Sequence, residues 1–243
     1  MIPVPENKST ETPLPSDRDA TSPPPYTNSR SSSSKAPFML PANAKPCNFV
    51  VFTQKNNAIE GTYILDPSLE IPSAWLPPLP EGETEETRSN FYAKSEFGRV
   101  TSELYLWDRP ILRSRKKVLL NISSPCWTTR VHIHREGPSP PFTLHLHSTS
   151  LLGDITVKIP RSFKGSITAG TKHSRVLMSD AISNQASVFS DLLGVKHLYV
   201  GDIAAINDET DDSMVLDNEY GCARISFEDE DFVANPDAGC VVG

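Results

Sequence analysis

The chain has 243 residues, 37% of them hydrophobic and 22 of them proline, with a formal net charge of -7 at pH 7. That length suffices for one sizeable core, and the negative charge disfavours non-specific binding to nucleic acid or to an anionic membrane surface. The acidity is local, because residues 201–243 carry 12 acidic side chains against the single basic Arg224.

Residues 1–46 hold 22 Ser, Thr or Pro residues and few large apolar ones, too little to offset the entropy of ordering, so a disordered N-terminal tail is expected. Residues 1–8 lack the basic start and apolar core of a secretory signal, and no apolar run anywhere is long enough to span a bilayer. The expectation is a cytoplasmic or nuclear protein without a transmembrane segment, its four cysteines (Cys47, Cys126, Cys222, Cys240) reduced. Their scattered spacing also argues against structural zinc. Within the tail, Pro23-Pro24-Pro25-Tyr26 has the P-P-x-Y form that a preformed polyproline II segment offers to WW domains. A WW-domain protein is thus a candidate partner, and an adaptor or ubiquitin-ligase target a candidate role.

From Asn48 the character changes, and residues 47–232 read as one all-β domain. Polar turns lead repeatedly into β-branched residues and period-2 strands, as at Gln54–Ile59, Ser95–Val100, Ser150–Ile155 and Tyr220–Ile225, with weaker copies ending at Val131 and Val176. In the strand after Arg99, Val100, Ser102, Leu104 and Leu106 share one face and Thr101, Glu103 and Tyr105 the other. The anchors Ile59, Val100, Val131, Ile155, Val176 and Ile225 suggest a β-solenoid-like stacked sheet of repeated short strands. A two-sheet β-sandwich is the alternative; parallel pairing between copies selects the solenoid, an antiparallel meander the sandwich. The prolines of Asp66–Arg88 and the acids of Ile203–Ser213 predict surface loops. Ser183–Leu193, with Val188, Phe189, Leu192 and Leu193 at helical spacing, predicts one short helix ended by Gly194. Residues 233–243 are expected to be a flexible end, closing on Cys240-Val241-Val242-Gly243. That sequence makes Cys240 a candidate lipidation site, against which stand the unusual final Gly and the acidic run Glu228–Asp231.

The run from Asn48 to Glu83, including Gly61-Thr62-Tyr63-Ile64-Leu65 and Leu76-Pro77-Pro78-Leu79-Pro80-Glu81-Gly82-Glu83, resembles the opening of a family of uncharacterised fungal proteins best populated in mushroom-forming species. Ile159-Pro160-Arg161-Ser162-Phe163-Lys164-Gly165 and Tyr199-Val200-Gly201-Asp202 are similar to the same family. The resemblance implies adhesin-like repeats with Ser-x-Asn-Gly-Ser-Ile/Val turns before each strand; here the Asn-Gly is replaced, by Asn56-Asn57 in one copy and Phe97-Gly98 in another. It implies the fold and no activity.

For chemistry, the pattern to weigh is a pair of H-x-H strands, Val131-His132-Ile133-His134 and Leu144-His145-Leu146-His147. Period-2 geometry puts both histidines of each strand on one face, and a reversal at Gly137–Pro141 would let four imidazoles converge on zinc, copper or nickel. With the aliphatic residues in the core, the competing reading is an ordinary solvated face, and no Asp or Glu accompanies the histidines along their own strands. Arg109, Arg113, Arg115, Lys116 and Lys117 read as a solvated charge run, Asp208, Glu209, Asp211 and Asp212 lack the EF-hand pattern, and Trp75, Trp107 and Trp127 read as core or loop anchors. No nucleophile elbow, phosphate-binding glycine loop or H-E-x-x-H helix is present. The sequence therefore predicts a non-enzymatic β-repeat scaffold or interaction module without a cofactor. A metal site or metal-dependent enzyme at His132, His134, His145 and His147 is the alternative.

Overall fold

The computed structural model describes residues 39–42, 44–80, 82–107, 116–135 and 142–230. Alternating aliphatic and polar residues build two-strand units, each folding at a short corner so that both strands turn their aliphatic face inward. A short β1 (Pro46–Cys47) precedes β2 (Val50–Gln54) with β3 (Ile59–Leu65), β4 (Phe91–Ser95) with β5 (Val100–Leu106), and β6 (Lys116–Ser123) with β7 (Thr129–Arg135). Next come β8 (Phe142–Ser150) with β9 (Ile155–Ile159) and β10 (Gly165–Thr171) with β11 (Val176–Met178). After the helix α1 (Asp180–Gln185) and the hairpin β12 (Ala186–Leu192) and β13 (Val195–Val200), the last unit is β14 (Asp212–Asn218) with β15 (Ala223–Phe227).

The second strand of each unit enters one sheet, ordered β1-β3-β5-β7-β9-β15-β11, and the first strand enters the other, ordered β12-β13-β10-β14-β8-β6-β4-β2. Pairing between units is parallel throughout, for example β3 with β5 with β7 and β4 with β6 with β8. This is the arrangement that selects a stacked solenoid over an antiparallel sandwich. Like residues line up along the stack: Phe91, Leu120, Leu146, Met214 and Ile167 stand in register and are all buried between the sheets. Burying each such side chain is worth roughly 1.5–3 kcal/mol.

Two features depart from simple stacking. The hairpin β12–β13 adds antiparallel to β10 and so ends the parallel stack on that side. The final unit does not follow it outward but slots back, β14 between β8 and β10, β15 between β9 and β11. Its entry is fastened by Asp212, whose carboxylate accepts both terminal nitrogens of Arg135 (2.9 and 2.7 Å) and the backbone N–H groups of Leu144 (2.8 Å) and Lys164 (3.2 Å). Both side chains are buried.

The corners show why small residues occupy them. A Cβ added to Gly98 would collide with the carbonyl of Asn57, one on Gly153 with that of Trp127, and one on Gly221 with that of Gly153. Hydroxyls and an amide bond the carbonyls one rung away: Ser95 to Asn57 (2.7 Å), Ser124 to Gly98 (2.8 Å), Ser150 to Ser124 (2.9 Å) and Asn218 to Gly153 (2.9 Å).

Several sequence expectations are corrected. The stacked column is Ile59, Val100, Thr129, Ile155, Ala223, Val176, so Val131 and Ile225 lie two residues past the true anchors. They stay on the inner face because the period is two. The expected helix Ser183–Leu193 is split: α1, capped by Ser179, stops at Gln185, and the rest forms β12. The two-residue turn Leu193-Gly194, with both φ values positive (54° and 79°), closes the hairpin instead. Val188, Phe189, Leu192 and Leu193 are consequently exposed, as are Trp75 and Trp127, which therefore anchor no core. Cys47 and Cys126 are free. No helix among the described residues is long and apolar enough to cross a membrane.

Candidate functional site

The four histidines do not converge. His132 and His134 project from β7 on the outer face of one sheet, and His145 and His147 from β8, which belongs to the other sheet. The reversal expected at Gly137–Pro141 lies outside the described residues, as do Pro23–Tyr26 of the tail, Cys240, and Arg109, Arg113 and Arg115 of the basic run. On β8, His145 meets hydroxyls at both ring nitrogens, Ser213 at 2.6 Å and Thr143 at 3.1 Å, and His147 is exposed. Burial, aided by the nearby Lys117 and opposed by Asp212, holds the His145 imidazole below its ordinary pKa. In the acidic loop, Asp211 accepts from the Tyr199 hydroxyl (2.6 Å) and the Asn207 N–H (2.8 Å), while Asp212 is taken by Arg135.

Around β7 the arrangement is different. Register places Glu103 of β5 directly beside His132, and Tyr105 beside His134. Glu103, His132 and His134 each offer one ligating atom, and these atoms all lie within 4.8 Å of one another. The carboxylate that the histidines lack on their own strand is thus supplied by the neighbouring rung. Period-2 spacing along one strand does not group Glu103 with His132, because the two meet only through the register of β5 with β7.

A second layer of groups orients these three. His134 Nδ1 faces Glu228 Oε2 at 3.1 Å, and its Nε2 faces Glu103 Oε1 at 3.2 Å. Glu228 follows β15 and reaches His134 past the end of the intervening β9, so the inserted last rung completes the site. The Tyr105 hydroxyl donates to Glu103 Oε1 and the Thr62 hydroxyl to Oε2, each at 3.0 Å. The Tyr105 ring stacks on the His134 imidazole at 4.4 Å, and the two imidazoles lie 3.9 Å apart. His132 Nε2 is buried and has no hydrogen-bond partner among the described residues.

The electrostatics follow from these contacts. Burial, helped by His134 and Lys158, pushes the His132 imidazole down to about 4, so at neutral pH it is uncharged with a lone pair to offer. Burial works to raise the Glu103 carboxyl, but the hydrogen bonds from Thr62 and Tyr105 and the proximity of His134 outweigh it, and the net shift is downward. Burial and the bond to Glu103 push the Tyr105 phenol up to about 12.

Beside the cluster runs an open groove of about 490 Å³ on the outer sheet face, bordered by Glu103, His132, Lys158, Thr101, Arg130 and Thr156. What the assembly offers chemically is two imidazoles and one ionised carboxylate around a common point, the donor set of many zinc and iron centres.

Comparison with curated proteins returns no match, and neither does comparison with solved structures. The profile of a domain of unknown function, DUF7330, matches residues 48–230. That span contains every strand from β2 to β15 and every residue of the cluster, and on it the chain belongs to the DUF7330 family.

Proposed function

We propose that this chain is a non-enzymatic binding module whose stacked sheets hold a divalent transition metal, zinc foremost, through Glu103, His132 and His134. One observation carries the reading: both ring nitrogens of His134 face carboxylates, at 3.1 and 3.2 Å, with a ligating atom of His132 in the same cluster. A neutral imidazole has one N–H. With Nδ1–H donated to Glu228, the Nε2 lone pair faces the Glu103 oxygen, a repulsive contact that a cation between them makes attractive. The separation suits a metal, since bonds of about 2.0–2.1 Å place neighbouring tetrahedral ligands about 3.3–3.4 Å apart. The Glu228–His134 bond is then the carboxylate–histidine contact that fixes tautomer and ring orientation in metal sites.

A second proton on His134 would also neutralise the contact, and elemental analysis separates the two. Full-length protein equilibrated with zinc and freed of excess is expected to retain one equivalent per chain. His132→Ala and Glu103→Gln should lose it, the paired substitution His145→Ala with His147→Ala should keep it, and Glu228→Gln should weaken it by about 10–100-fold. Absence of stoichiometric metal in the unmodified chain, or equal loss from the His145/His147 variant, overturns the assignment.

A further inference from the structure

We infer that the metal centre takes a small organic or inorganic oxyanion, a carboxylate or a phosphate, as its exogenous ligand, bound in the groove between Arg130 and Lys158. The inference rests on the metal reading above and extends it to what the metal would hold.

The parallel register lays the outer face out as two cross-strand rows. Thr101, Arg130 and Thr156 form one row, and Glu103, His132 and Lys158 form the next. The groove of about 490 Å³ lies over both rows, so two of the three metal ligands are also groove walls. Three protein ligands leave a tetrahedral ion with one open position. The groove walled by two of the ligands is furnished with two cations and the hydroxyls of Thr101 and Thr156.

Charge decides the class of ligand. Arg130 and Lys158 border the groove, and the acids bordering it are Glu103, a metal ligand, and Glu60, which is paired with Arg99. A bound divalent ion adds two positive charges to this surface, which favours an anion able to bridge metal and guanidinium. Arg130 offers a planar fork that matches carboxylate or phosphate oxygens, and the groove volume falls in the range of small-molecule sites. Neutral ligands would use neither cation. Anion binding is therefore expected to be tighter in the metal-loaded protein.

The test uses full-length protein loaded with cobalt(II), whose visible absorption reports its coordination, with cobalt stoichiometry measured separately by elemental analysis. Titration with inorganic phosphate and with succinate should each give a saturable spectral change, and the tighter of the two identifies the preferred oxyanion. The double variant Arg130→Gln, Lys158→Gln should keep one equivalent of cobalt and bind the anion at least about tenfold more weakly; Arg130→Gln alone should show part of that loss. Bound cobalt with no saturable response to either anion, or an unchanged affinity in the double variant, overturns this inference while leaving the metal reading intact. No bound cobalt in the unmodified protein overturns both.

Discussion

Replacing Asp212 by Ala tests whether the inserted rung is held by its buried ion pair. The carboxylate accepts four hydrogen bonds, two from the Arg135 guanidinium and two from backbone N–H groups that belong to β8 and to the segment between β9 and β10. Removing it strands a guanidinium whose side chain is 1% exposed, with only Ser162 left to bond it among the described residues. Breaking a buried pair from one side typically costs about 3–5 kcal/mol, and the orphaned N–H groups of Leu144 and Lys164 push the value to the upper end. At about 2–4 °C per kcal/mol for a domain of this size, the melting temperature should fall by roughly 6–20 °C. Urea denaturation followed by circular dichroism gives the free energy directly. The partner experiment removes both charges: Arg135→Met with Asp212→Ala should be less destabilised than Asp212→Ala alone, because no buried charge remains. A loss below about 1 kcal/mol in the single variant, or a double variant as unstable as the sum of its parts, would refute the reasoning.

Gly153→Ala should destabilise by about 1–3 kcal/mol, the usual cost of overpacking, because its Cβ would meet the Trp127 carbonyl, a backbone atom of the neighbouring rung that cannot swing aside; the same denaturation assay reads it, and a neutral result would contradict the close approach at the corner. In metal-free protein, stability should fall as pH drops from about 6.5 toward about 4. Burial holds His132 neutral in the fold down to about 4, while the unfolded chain takes up its proton near 6.5, so acid favours the unfolded state across that window. His132→Gln should flatten the dependence of the urea midpoint on pH between 7 and 4.5, without abolishing it, because the burial-lowered His145 adds in the same direction; a variant with the unmodified slope would rule His132 out as a contributor. Phe189→Ser, on the exposed edge strand β12, should leave stability within about 0.5 kcal/mol, since the ring is 60% exposed; a larger loss would mean the hairpin needs that ring.

How far the fold could be read from the chain depended on what the period-2 pattern encodes. Alternation in Val100–Leu106 and Ile155–Ile159 marked strands and their inner faces, and recurrence of short turns before them marked a stack. Slips of two residues at Val131 and Ile225 cost nothing, since a two-residue shift keeps the face. What the pattern does not encode is order in space. Nothing local in Asp212–Phe227 says that it returns to lie between β8/β9 and β10/β11; that placement is fixed by partners far away in sequence, Arg135 at 77 residues and Leu144 at 68. Ser183–Leu193 misled for a related reason. Its apolar residues fit a helical spacing, but their surroundings offered no core to bury them, whereas β13 offered a ladder and Leu193-Gly194 a turn.

The site was half legible for a reason specific to parallel stacks. Along one strand only i and i+2 share a face, so His132 and His134 could be grouped but Glu103 could not. Across rungs, a residue meets the one displaced by a full rung, and that length here runs from Val100 to Thr129, which is the separation of Glu103 from His132. Once the rung length is known, the pairing is readable in the chain. His145 and His147 belong to the other strand of the next unit and hence to the opposite sheet, so their nearness in sequence to His134 counts for nothing. Glu228, 94 residues from His134, could not be placed without knowing where the last rung inserts. The carboxylate that orients the imidazole therefore depends on the Arg135–Asp212 fastening of that rung. Asp212→Ala should weaken metal retention as well as stability, and a variant that stays folded yet keeps full zinc affinity would break this link.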